Sequence, residues 1–186
     1  MIERSFSLQP FPFANALDDV RIAGDVVRRA GAFGVRFTIS GRLGGLAIPA
    51  PSPVPARRDR LWESTCFEFF LAFGDSPRYW EFNLSPSGCW NVYSFSAYRE
   101  GMRVEEAFTA LPFDVAMGED SLALGLEMDL ERIVRADRPV DVAVSAVVRR
   151  MDGSASYWAL KHCGPQPDFH LRESFAIRLR GSRYAT

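Results

Sequence analysis

The sequence predicts an all-β protein, a β-sandwich or jelly roll of about nine to eleven antiparallel strands with one or two short helices. Three observations carry that prediction. Apolar and polar residues alternate with a period of two along short runs, as in FGVRFTISGRL from Phe33 to Leu43. Turn-forming clusters recur about every 8–12 residues. Hardly any stretch shows the repeat of an amphipathic helix.

Taken in order, Ser5 to Leu8 begins a strand, and Pro10 and Pro12 end regular structure there. Val20 to Arg29 fits a strand or a short helix. From Phe33 to Leu43, Phe33, Val35, Phe37 and Ile39 share one face, and Gly44-Gly45 then allows a sharp turn. Pro49, Pro51, Pro53 and Pro55 fall at alternate positions and favour extended polyproline geometry. With Arg57, Arg58 and Arg60 they mark residues 49–60 as a stiff surface loop leading into Trp62; a role as a proline-rich ligand is the other reading.

Three strands follow as a meander. In the first, Phe67, Phe69, Leu71 and Phe73 oppose Cys66, Glu68, Phe70 and Ala72. Gly74 to Pro77 turns the chain, and Tyr79, Glu81 and Asn83 then oppose Trp80, Phe82 and Leu84. Ser85 to Gly88 turns it again into Trp90 to Ala97. Val104 to Phe108 is helix-compatible. Phe113 to Met117 and Ser121 to Met128 flank a hairpin turn at Gly118-Glu119-Asp120, and Asp129 caps a short helical segment, Leu130 to Arg135. Asp141 to Arg150 and Ser154 to Lys161 flank Asp152-Gly153, a strong hairpin signal. A loop from Gly164 to Asp168 leads to a last strand, Ser174 to Arg180.

The length of 186 residues suits one domain, expected over residues 1–186. A net charge of −1 gives no reason to expect nucleic acid or an anionic membrane as partner. No window holds the roughly 18 apolar residues needed to span a bilayer. The first residues, MIERSFSLQPFPF, carry charges and prolines where an export signal has its apolar centre. Cys66, Cys89 and Cys163 have no paired spacing and read as free thiols in a reducing compartment, so a cytoplasmic location is expected.

No phosphate loop, nucleophile elbow or metal-spaced cysteine pair is present. What stands out is Glu68 and Glu81 inside aromatic and aliphatic runs, because an unpaired buried carboxylate costs several kcal/mol. Each needs a hydrogen-bond partner or a face open to ligand. Tryptophans sharpen the second option: sugar rings stack their apolar C–H faces on indole, while their hydroxyls bond to carboxylates, amides and cations. Trp62, Trp90 and Trp158 are the candidate stacking residues, with Glu81, Asn83, Arg99 and Lys161 as hydrogen-bonding partners. His162 and His170, with Cys163 and Asp168, supply metal donors within one segment, though in no standard zinc spacing. A haem- or metal-binding module using His170 or His162 is therefore an alternative. A glycoside hydrolase acting through Glu68 and Glu81 is another.

The string Trp62-Glu63-x-x-Cys66-x-Glu68-Phe69-Phe70-Leu71 resembles a signature of family 9 carbohydrate-binding modules and the related DOMON-like domains. Asn83-Leu84-Ser85-Pro86-Ser87-Gly88 is similar to the turn that follows their aromatic strand. The segment from Tyr157-Trp158-Ala159-Leu160 to Pro167-Asp168-Phe169-His170 resembles that of a stand-alone bacterial DOMON-like subgroup. The likeness runs from about Phe33 to Leu179. It implies an immunoglobulin-like or jelly-roll sandwich that binds a sugar or haem in a pocket on one sheet, without catalysis. The residues it carries over are Trp62, Glu68, Glu81, Asn83, Trp90 and His170. Thr65 and Ala72 replace acidic residues of the family 9 pattern, so a calcium site of that kind is not expected.

Overall fold

The computed structural model describes residues 1–12 and 19–181. Among these, thirteen strands account for nearly all the regular structure. They are β1 (Ile2–Ser7), β2 (Gln9–Pro10), β3 (Val20–Arg29), β4 (Ala32–Gly41), β5 (Cys66–Ala72), β6 (Tyr79–Leu84) and β7 (Trp90–Phe95). The second half adds β8 (Arg103–Val104), β9 (Phe113–Met117), β10 (Ser121–Asp129), β11 (Val140–Arg149), β12 (Ala155–Ala159) and β13 (Ile177–Leu179).

Every pairing is antiparallel, and the strands form two sheets. The first runs β1-β3-β4-β10-β9; the second runs β2-β12-β11-β5-β6-β7-β8, with β13 beside β12 along one edge of β11. The all-β sandwich read from the sequence is the fold observed. Its inward faces are those that alternation picks out: Val35, Phe37 and Ile39 from one sheet, Phe67, Phe69 and Leu71 from the other. Phe69 stacks on Phe82 (4.4 Å between centroids) and on Phe33 (5.1 Å), which joins the two sheets through aromatic contact.

The strand count exceeds the expected nine to eleven because β2 and β8 span two residues each, too few to show a period. Val20 to Arg29 resolves as strand, paired along its length to β4. Val104 to Phe108 forms no helix. Its backbone is claimed by side chains instead, with Arg57 donating to the carbonyls of Glu105 and Phe108 and the Ala107 amide donating to the Glu105 carboxylate. The segment after Asp129 is only a 3-10 turn, Leu130–Arg132, and Asp129 does cap it by accepting from the Glu131 amide at 3.0 Å. Pro10 sits on an outer strand opposite Trp158, where its missing N–H costs no ladder bond. The proline run closes over β7: the Trp90 amide donates to Ala56, and the Arg58 amide donates to Trp90.

Gly24 on β3 marks the tightest approach in the first sheet. A Cβ there would lie 1.8 Å from the Arg36 carbonyl and 2.7 Å from the Phe6 ring. Gly24→Ala should therefore cost about 1–3 kcal/mol, since β4 has to shift to admit the methyl. Gly34→Ala, whose Cβ meets nothing nearer than 3.6 Å, should cost much less. Urea denaturation of the two variants measures the difference; equal losses would show that backbone crowding at Gly24 is not what selects glycine.

Candidate functional site

An edge-forming sheet normally leaves one face wet, yet β5, β6 and β7 are buried on both. The reason is the segment after β12, which folds back across the outer face of the second sheet. Phe169 and Phe175 pack there on Phe70, Tyr79, Phe95 and Val147, building a second apolar cluster. Where that cover stops, a cavity of about 440 Å³ remains. That volume falls within the range of small-molecule sites.

The floor of the cavity comes from strand residues that alternation aims outward: Glu68 on β5, Glu81 on β6, Phe95 on β7, Val147 and Arg149 on β11, and Tyr157 on β12. Its walls are Trp62 and Glu63 from the 3-10 turn Leu61–Glu63, Arg99 and Met102 from the β7–β8 connection, and Pro167, Phe169 and His170 from the covering segment. Aromatic rings thus surround a floor that holds two carboxyls.

Both carboxyls are buried, Glu68 to 3% and Glu81 to 5% exposure. Glu81 accepts from the Asn83 amide at 2.8 Å, and Asn83 in turn accepts from the Cys66 thiol at 3.7 Å. Glu68 Oε1 has no partner. Neither does the hydroxyl of Ser145, the residue directly across from Glu68 in the β5–β11 ladder. Register also places Glu68 opposite Asn83, so Glu68 and Glu81 are diagonal neighbours on one face. Burial pushes the Glu68 carboxyl well above its ordinary 4.5, and the Glu81 charge adds to it. Burial likewise pushes Glu81 up to about 7, against the pull of the Asn83 hydrogen bond and the Arg99 charge.

His170 completes the polar centre. Its ring is edged by Phe70, Tyr79 and Phe95, and Nδ1 lies 2.8 Å from the Tyr79 hydroxyl. That hydroxyl accepts from the Arg99 amide at 3.1 Å and so has its own proton to give to Nδ1. In this tautomer Nε2–H faces the Glu81 carboxyl, 3.8 Å away. Burial, aided by the Arg99 charge, holds the imidazole down at about 4, and Asp168 opposes this only in part. At neutral pH the ring is an uncharged donor, so the His170–Glu81 contact is not an ion pair.

Asp168 fastens the covering segment to the sheet. It takes hydrogen bonds from the Arg99 guanidinium and the His170 amide, each at 2.9 Å, and from the Tyr98 hydroxyl. Burial raises its carboxyl, but these three donors outweigh burial and leave it below the ordinary value. Arg99 reaches this position from a left-handed backbone (φ 55°), a conformation that costs a non-glycine residue on the order of 1–2 kcal/mol. Arg149 is spoken for by the carbonyls of Glu63 and Gly153.

The candidate residues of the sequence therefore divide. Trp62, Glu68, Glu81, Arg99 and His170 meet at one cavity. Asn83 lies beneath it, fully buried, and orients Glu81. Trp90 and Trp158 lie away from the cavity: both belong to the core between the sheets, 5% and 3% exposed. Arg57 covers the Trp90 ring at 4.4 Å, and Trp158 Nε1 donates to Ser156. Lys161 is exposed and lies outside the cavity. His162 bonds the Gln9 carbonyl at 2.9 Å, so the two histidines do not converge. Among the described residues no group of three or more His, Cys, Asp or Glu side chains is placed to hold a metal ion.

Several cavity residues are not among the sequence candidates, Phe95, Val147, Phe169 and Tyr157 among them. The Asp152-Gly153 hairpin sets Trp158 against Ala146 and Tyr157 against Val147. Since Ala146 faces the core and Val147 the outer cluster, the register alone assigns Tyr157, not Trp158, to the cavity.

No protein-family model matches the chain, and no curated protein sequence matches it. Among solved structures, a proposed carbohydrate-binding protein from Bacteroides uniformis shares the fold, with a TM-score of 0.61, 14% identity, and coverage of 91% of this chain and 84% of that one. A family 9 carbohydrate-binding module from Caldicellulosiruptor kristjanssonii aligns more loosely. Its complex with glucose gives a TM-score of 0.47 at 9% identity over 82% of this chain and 73% of that one. Its complex with cellotriose gives 0.49 at 8% identity over 83% and 72%.

Proposed function

We propose that the cavity binds a sugar or sugar-like metabolite without altering it chemically. The observation that carries this reading is the pairing of carboxyl groups with aromatic walls. Glu68 and Glu81 line a cavity whose walls include Trp62, Phe95, Tyr157 and Phe169. A ligand hydroxyl bonded to a carboxyl in such a site contributes about 1 kcal/mol or more. Rings alongside offer the C–H stacking that sugars use. The fold shared with the Bacteroides protein is in keeping with this, but a fold hosts many functions and the weight rests on the pocket.

Hydrolysis fits the geometry less well. Glycosidase carboxyls flank the scissile bond from two sides. Glu68 and Glu81 instead project from neighbouring strands of one face, so both meet a ligand from below. A haem reading is weaker too, because both ring nitrogens of His170 already face protein groups.

Trp80, Trp90 and Trp158 are at most 5% exposed, so Trp62 is the tryptophan that acrylamide should reach. Sugars that bind should shield it from acrylamide, and Trp62→Ala should weaken them about tenfold or more. Fluorescence titration against glucose, cellotriose and other mono- and oligosaccharides measures both. Undiminished affinity in Trp62→Ala for every sugar that binds would remove Trp62 from the site; no binding by any sugar would remove the proposal.

A further inference from the structure

Resting on that reading, and naming its ligand more closely, we infer that the cavity selects an amino sugar, a pyranose whose protonated primary amine sits between Glu68 and Glu81. Two buried carboxyls on diagonal positions of one face, neither paired with a cation, form an unusual floor for a neutral ligand. A neutral hydroxyl can bond the carboxyls while both keep their protons, and it gains no charge-assisted bond from them. An ammonium group takes the pair in its ionised form and offers three donors to two carboxylates.

The other charged groups around the pair do not supply that cation. Arg99 is bound to Asp168 and Arg149 to backbone carbonyls. His170 is uncharged at neutral pH and offers Nε2–H, a donor suited to a ring hydroxyl beside the amine. Tyr79 and Tyr93 stay protonated, burial raising both. Glu63, on the rim, is held by Arg60. A metal ion is the rival cation, but two carboxyls are too few donors, and no third stands by among the described residues.

Because the carboxyls retain protons in the empty pocket, an ammonium ligand must drive them off, whereas a neutral sugar need not. Isothermal titration calorimetry with glucosamine, glucose and N-acetylglucosamine at about pH 6.5, repeated in buffers of different ionisation enthalpy, reads both affinity and protons released. Glucosamine should bind about tenfold or more tightly than the other two and alone release protons. Glu68→Gln should lower the glucosamine-to-glucose affinity ratio several-fold, and Glu68→Gln with Glu81→Gln should bring it to about one. The wild-type proton count tests the same point without any variant. Equal affinities and no proton release in wild type would overturn the amine inference and leave the sugar proposal standing. Absence of binding by all three, and by the wider sugar panel, would remove both.

Discussion

Replacing Trp158 by alanine is expected to destabilise the protein by about 3–5 kcal/mol, the range for a large aromatic removed from a packed core. The indole is 3% exposed and belongs to the core between the sheets. Its Nε1–H bonds Ser156, itself fully buried, so truncation leaves a void and an unmet hydroxyl together. At this chain length the loss corresponds to a drop in melting temperature of roughly 10 °C or more. Trp62→Ala should behave oppositely, losing ligand affinity with little change in melting temperature, because its ring stands at the cavity wall and meets Tyr93 edge-on at 5.8 Å. Thermal melts of the two variants decide the matter. A Trp158→Ala melt close to wild type would mean that Trp158 is not part of the core.

That contrast marks where the sequence was legible. Period-two alternation separates faces within a strand, and it placed Glu68 with Phe70, and Glu81 with Tyr79, on the face opposite the core. It could not say whether that outer face met water or protein, since cover by the distant segment around Phe169 and Phe175 is a tertiary event. The two glutamates were conspicuous because they interrupt apolar runs, and physical cost, not pattern, drew attention to them. Residue type alone points to the tryptophans. Register was needed to sort them: Leu84 pairs with Trp90 and Ala146 with Trp158, and both partners face inward. His170 was legible as a polar residue in a suggestive segment. Its tie to Tyr79 and its approach to Glu81 span 91 and 89 positions of sequence, which no local reading reaches.

Stability is expected to fall as pH rises from about 5 to about 6.5, and the same titrations link the pocket to the fold. Glu68 and Glu81 have folded-state values above the ordinary 4.5, Glu81 at about 7. Above 4.5 the unfolded chain has released protons that the folded protein keeps, so each carboxyl lowers stability with rising pH by about 1.4 kcal/mol per unit. His170 works the other way. Its value drops from 6.5 to about 4 on folding, so between those limits the unfolded chain holds a proton that the fold refuses, and stability rises with pH by the same slope. Two carboxyls against one imidazole leave a net loss of about 1.4 kcal/mol per unit, about 2 kcal/mol across this range. The depressed carboxyls of Asp75, Asp137, Asp152 and Asp168 matter only at lower pH, and the Cys66 thiol, raised above 9, only at higher pH. Replacing both Glu68 and Glu81 by glutamine removes the two opposing protons and should reverse the slope, leaving His170 alone to make the protein less stable in acid. His170→Asn should steepen the wild-type loss to about 2.7 kcal/mol per unit. Urea midpoints measured across this range read all three slopes. A wild-type slope that persists in the double glutamine variant would show that both carboxyls are ionised in the fold, and with that the pocket would have no protons for an amine to displace.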